Sequence, residues 1–163
     1  MIIKKIVCSI MALLLVIYMS GCYPENFISD DVEGEKLAKE LLTYLSEDDA
    51  EGMKSMFCDR AKESSELDRQ IEEALVFFDG SVITEDPQIL VSGGKAMDNG
   101  RVTWLRVSPS IEGVETDTGK SYKILFYDYL VCANEKDIVG ISEIRIESSG
   151  GEVFTIGEYI EKA

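Results

Sequence analysis

The sequence predicts an α+β domain, with helices in its first half and an antiparallel sheet in its second. Three observations carry this. Between Val32 and Phe78, apolar residues recur every three or four positions, the spacing of one helix face. From Ser81 onward, β-branched and aromatic runs alternate with Gly, Asn and Asp punctuation. Asp98-Asn99-Gly100 is a hairpin turn signal, which joins neighbouring strands antiparallel. Helices grouped before strands, rather than alternating with them, exclude a parallel doubly wound sheet.

The elements follow in order. Leu37, Leu41 and Leu45, with Ala38 and Leu42 beside them, form one stripe and predict a first helix over Val32–Leu45. Glu35, Lys36, Lys39 and Glu40 fall on its polar face. Ser46-Glu47-Asp48-Asp49 breaks it, and Asp49 suits the N-cap of a short second helix carrying Met53, Met56 and Phe57. Leu67, Ile71, Ala74, Leu75 and Phe78 predict a third helix over Ser64–Phe78, ended by Asp79-Gly80. Strands are expected near Gly80–Thr84, Gln88–Met97, Arg101–Pro109, Lys120–Ala133, Ile138–Glu147 and Val153–Tyr159. The three helices are expected to pack on one face of the sheet.

The N-terminus carries a different signal. Lys4 and Lys5 precede an apolar run, Ile6 to Tyr18, that falls short of the about 20 residues a bilayer span needs. It fits the apolar region of a secretory signal, about 7 to 15 residues long. Met19-Ser20-Gly21-Cys22 resembles the lipobox of bacterial lipoproteins, with Met where Leu is usual. That resemblance implies removal of residues 1–21 as a signal peptide and diacylglyceryl modification of Cys22. Residues 22–31, which include Pro24, then form a polar tether, and residues 32–163 a single domain. The expected location is the extracytoplasmic face of the cell membrane, held there through the lipid on Cys22.

Composition narrows the function. Sixteen Lys and Arg face 31 Asp and Glu, for a net charge of −15. This argues against nucleic acid as a partner and against electrostatic adhesion to anionic lipid. The chain has no histidine. Ser-His-Asp and Cys-His arrangements and histidine metal sites are thereby excluded. Of four cysteines, Cys8 lies in the signal and Cys22 is the lipid site. Cys58 and Cys132 are left as either a disulfide or two buried thiols, and too few for zinc. No cofactor and no metal site is expected.

Helices followed by a long antiparallel sheet resemble the nuclear-transport-factor-2-like cone, also called cystatin-like. In that fold a curved sheet wraps the helices and leaves a pocket at its open end. Within it the chain is similar to a family of uncharacterised clostridial lipoproteins with a domain of unknown function. The resemblance rests on Ala50–Phe57, Phe77-Phe78-Asp79-Gly80, Leu125–Tyr129, Val139-Gly140-Ile141 and Gly157–Ile160. These are packing and turn residues, and they imply no activity.

Tyr122–Cys132 is the most informative strand. One face carries Tyr122, Ile124, Phe126, Asp128, Leu130 and Cys132; the other carries Lys123, Leu125, Tyr127, Tyr129 and Val131. Asp128 is thus a carboxylate among apolar neighbours. Relatives of the cone fold use such a strand Asp as general base, and burial raises its pKa as that chemistry needs. The structural alternative pairs Asp128 with Arg106 or Arg145 on a neighbouring strand, or exposes it at a strand bend. Asp128, Phe126 and Trp104 are the candidate ligand-binding residues, with Tyr127 and Tyr129 as aromatic neighbours of Trp104. Glu47, Asp48, Asp49 and Glu51 lack the spacing of a calcium loop. Two functions compete. One is a non-catalytic, membrane-anchored domain binding a small apolar or peptide-like ligand or a partner protein. The other is a small isomerase- or dehydratase-like enzyme with Asp128 as base.

Overall fold

The computed structural model describes residues 29–163. The expected signal peptide, the lipid site Cys22 and most of the tether lie outside the described residues. Four helical segments come first: α1 (Asp30–Ser46), α2 (Ala50–Ser55), α3 (Asp59–Lys62) and α4 (Leu67–Phe77). Five strands follow: β1 (Gln88–Asp98), β2 (Arg101–Glu115), β3 (Ser121–Cys132), β4 (Gly140–Ser148) and β5 (Val153–Gly157). A short 3-10 turn, Lys136–Ile138, lies between β3 and β4. The strands form one open antiparallel sheet in the order of the sequence, with β1 and β5 at its edges. The α+β class is as the sequence predicts.

Local chemistry explains most boundaries. Asp30, Asp31 and Glu33 occupy the first turn of α1, where the helix dipole favours negative charge. This starts the helix two residues before the expected Val32. Asp49 caps α2 by accepting from the Gly52 N–H at 2.8 Å. The buried faces are Ala38, Leu41, Leu42 and Leu45 of α1 and Leu67, Ile71 and Ala74 of α4. α3 was not expected. It is a single turn, too short to show a period, and with it the described residues hold four helices rather than three.

The expected strand at Gly80–Thr84 is absent from the described elements, leaving one isolated bridge, Val82 to Thr116. The Ile83 N–H bonds the Glu115 carbonyl at the end of β2, but its neighbours' donors are taken elsewhere. The Val82 N–H bonds the Ser46 hydroxyl at 3.0 Å, and the Ser81 N–H bonds the Asp117 carboxylate at 2.9 Å. β2 also runs past the expected stop at Pro109. Its register to β3 passes from Val107 opposite Asp128 to Ser110 opposite Leu125, with Pro109 in the gap. A residue without an N–H is tolerated in an inner strand where the ladder opens.

The main core lies between the helices and one sheet face. Leu41, Leu45, Met53, Phe57 and Phe78 meet Ile111, Ile124, Phe126, Ile144 and Ile146 there. The link after α2 docks by its backbone. The Cys58 N–H bonds the Ile141 carbonyl at 2.8 Å, and the Ile141 N–H bonds the Met56 carbonyl at 2.9 Å. The Gly157 N–H bonds the Gln70 side chain at 2.9 Å, joining β5 to α4. A smaller cluster holds Tyr129, Cys132 and Ile138, with Trp104 and Ile160 against it. Cys58 and Cys132 are buried free thiols in separate clusters. Burial pushes the Cys58 thiol above its ordinary pKa, which leaves it protonated and unreactive.

Candidate functional site

Asp128 is placed by alternation along β3. Tyr122, Ile124, Phe126 and Asp128 point to the helix side and are buried. Across the ladders Asp128 faces Val107 on β2 and Ile141 on β4. It is 4% exposed, and it makes no hydrogen bond or ion pair with any described residue. Burial alone therefore pushes its carboxyl up to about 7. Phe126, fully buried, is part of the main core beside it.

Neither expected ion-pair partner reaches Asp128. Arg145 approaches Glu147 at 3.9 Å. Arg106 stands opposite Tyr129, not Asp128, and donates to the Tyr159 hydroxyl. The register of β2 against β3 slips between Leu105 and Arg106, and that of β3 against β4 slips between Tyr127 and Asp128. Adjacent Asp128 and Tyr129 are both buried because Tyr129 is covered by the smaller cluster with Cys132, Ile138, Trp104 and Ile160. At the β4 bulge, Ser142 is buried with its hydroxyl unpartnered, so it does not serve Asp128 as a hydrogen-bond donor.

Trp104 does not join Asp128 and Phe126. It pairs with Cys132 and packs on the smaller cluster. The three candidate ligand residues therefore divide between two environments. Trp104 belongs to a patch made by β2, β3 and the residues after β5. Tyr159 stacks edge-on against Tyr127 with ring centroids 5.1 Å apart, and the Arg106 guanidinium lies 5.8 Å from the Tyr159 ring centre. Lys162 sits 5.5 Å from the Trp104 ring centre. The sequence reading joined Trp104 to Tyr127 and Tyr129 but missed Arg106 and Tyr159 as members. The alternation of β2 and β3 carried the signal for Arg106. Nothing local announced that Tyr159 returns across the sheet. The depressions near Phe77 and Ser149, near Gly113 and Lys123, near Thr43 and Pro87, and beside Leu75 and Phe78 are lined without Asp128, Phe126 or Trp104.

Residues 40–155 match the family described as DUF5104, a domain of unknown function. The chain belongs to this family. The DUF5104 match contains Asp128, Phe126, Trp104, Arg106, Tyr127 and Tyr129, and stops short of Tyr159 and Lys162. No curated protein matches the chain.

Among the described residues, no group of three or more Cys, Asp and Glu side chains is placed to hold a metal ion. No described helix is long and apolar enough to cross a membrane.

Proposed function

We propose that this DUF5104 protein is a lipid-anchored, extracytoplasmic lipoprotein whose domain binds a ligand without transforming it. The N-terminal pattern ending in Met19-Ser20-Gly21-Cys22 supports the anchor. The fold within this reading is a nuclear-transport-factor-2-like cone, as in the clostridial lipoproteins it resembles. Sequential antiparallel strands bent by bulges, with helices on one face, support that.

The isolation of Asp128 carries the non-catalytic reading. A general base acting on a carbon acid needs a donor to steady the enolate it forms. Asp128 has the raised pKa but no hydrogen-bonding partner, and Phe126, Val107 and Ile141 around it are apolar. A buried carboxyl of this kind is half of a catalytic pair. The ligand of a binding domain is a small apolar or peptide-like molecule, or a partner protein. The test is turnover: the purified chain is assayed with ketosteroid and hydroxy-acid substrates beside Asp128→Asn. We expect no activity in either. Activity that disappears in a folded Asp128→Asn protein would establish the enzyme reading instead.

A further inference from the structure

We propose that Arg106, with the tyrosines around it, forms a binding site for a carboxylate carried on an aromatic or apolar body, covered by residues 158–163. This rests on the binding reading above and gives the ligand a chemistry and a place.

Arg106 is an exception among the arginines. Arg60 pairs with Glu135 and Asp137, Arg69 with Glu66 and Glu73, and Arg145 with Glu147. Arg101 is exposed at the start of β2. Arg106 alone is half-buried without a carboxylate, in a chain with 31 acids to 16 bases. Its Nη1 donates to the Tyr159 hydroxyl, while its Nε is buried and has no acceptor. A buried donor without an acceptor is costly, and a guanidinium edge matches a carboxylate in two parallel hydrogen bonds. Tyr127 stands beside it as an aromatic wall, on which Tyr159 of the cover stacks edge-on. A carboxylate on a flat apolar body meets both features at once. A polyanion does not suit the site, because among the described residues no second cation shares it: Lys162 is engaged over Trp104, and the whole chain is strongly negative.

The cover is lightly held. Residues 158–163 belong to no strand. The Glu158 N–H bonds the Ser142 carbonyl at 3.2 Å, and the Ala163 N–H bonds Glu135 at 2.8 Å. Tyr159 is 40% exposed, and Ile160 is its partly buried neighbour. Ile160 packs on both core clusters, but no strand pairing holds the segment, so its opening costs less than unfolding. When it lifts, the Nε edge of Arg106 becomes reachable.

The full-length chain in detergent is titrated with 4-fluorobenzoate and, separately, with neutral 4-fluorobenzamide, and the fluorine resonance is followed by NMR. The expected result is broadening and shift for the benzoate only. Tyr159→Ala should tighten benzoate binding by about tenfold, since a site open only part of the time binds more weakly by that fraction. Arg106→Met should weaken it by more than about tenfold, and Arg106→Lys should recover only part, because an ammonium lacks the fork. Benzoate binding unchanged in a folded Arg106→Met protein overturns the proposal. So does equal binding of the benzamide, or no binding by either the wild type or Tyr159→Ala at millimolar probe. Should Arg106→Met fail to fold, the Arg106 Nε–H resonance of the wild type decides: movement on adding benzoate supports the site, and no movement overturns it. A negative outcome removes this site and leaves the non-catalytic reading standing, because that reading falls only to turnover dependent on Asp128.

Discussion

The Tyr122 hydroxyl donates to the Phe77 carbonyl at 2.9 Å, tying the start of β3 to the last turn of α4. It also accepts from the Asp79 N–H at 3.0 Å. One buried phenol thus satisfies two backbone groups at a helix end that has no basic side chain in its last turn. Phe78 and Phe77 pack on its ring, with centroids at 4.6 Å and 6.0 Å.

Tyr122→Phe keeps the ring packing and removes both hydrogen bonds. We predict a loss of about 1–2 kcal/mol, because two backbone groups lose the phenol and keep only their 3.1 Å bond to each other. Urea melts of the two proteins check this. A difference below the error of the melts would mean that water replaces the phenol.

Asp128 gives a prediction with a direction in pH. Its folded pKa, about 7, lies above the ordinary 3.8. The folded state therefore holds a proton through this window that the unfolded state releases. The corresponding stability is fully present below about pH 4, falls as pH rises through the window, and is gone above about pH 7, a span of a few kcal/mol. Asp128→Asn removes the titration. The variant should gain stability relative to the wild type as pH rises from 5 to 8, measured as the difference in urea midpoint at each pH. Parallel pH dependence of the two proteins would show that Asp128 is hydrated or paired in solution.

Gly140 lies where the link after α2 meets β4. Its φ of +118° is a backbone conformation side chains rarely adopt. A Cβ there would come within 2.9 Å of the Cys58 nitrogen, whose N–H holds the Ile141 carbonyl. Gly140→Ala should destabilise the fold by about 1–3 kcal/mol through strain and loss of this docking. Hydrogen exchange of the Cys58 and Ile141 amides should speed up more than that of the β2–β3 ladder. Uniform acceleration across the molecule would assign the damage to the whole fold instead.

Cys22 is predicted to carry the lipid. Cys22→Ala should leave uncut precursor and no diacylglyceryl product, seen by mass spectrometry of the membrane fraction. A processed wild-type chain whose N-terminus is not Cys22 contradicts this.

Much of the fold is readable from periodicity, because burial on one face imposes it. Leu37, Leu41 and Leu45 announce α1, and Tyr122, Ile124, Phe126 and Asp128 announce the buried side of β3. Short or interrupted elements are not readable in that way. Asp59–Lys62 is one turn with no period, and Val82-Ile83-Thr84 has strand composition but makes only a single bridge at the end of β2, the Val82 N–H going to Ser46 at a helix end. Pro109 reads as a stop, yet it sits in a ladder gap that exists only when β2 and β3 are aligned. The site shows the same division. Burial of Asp128 follows from its apolar neighbours. Its separation from Arg106 follows from the register, which sets Val107 opposite Asp128 and Arg106 opposite Tyr129 and leaves no mark in composition. Tyr159 joins Arg106 only through tertiary folding, more than fifty residues away.

The sequential strand order has a consequence for how the chain folds. Each hairpin closes on its immediate neighbour, so the sheet assembles by short loops that form quickly. The segments after α1 have no such local route. Phe57 waits for Ile141, and Gln70 waits for Gly157. During synthesis from the N-terminus, α1 therefore gains its cover from β1 and β2, while the apolar face of α4 stays uncovered until β5 arrives. α4 is made before any strand and buried by the last one, and it is the part most in need of a chaperone along the way.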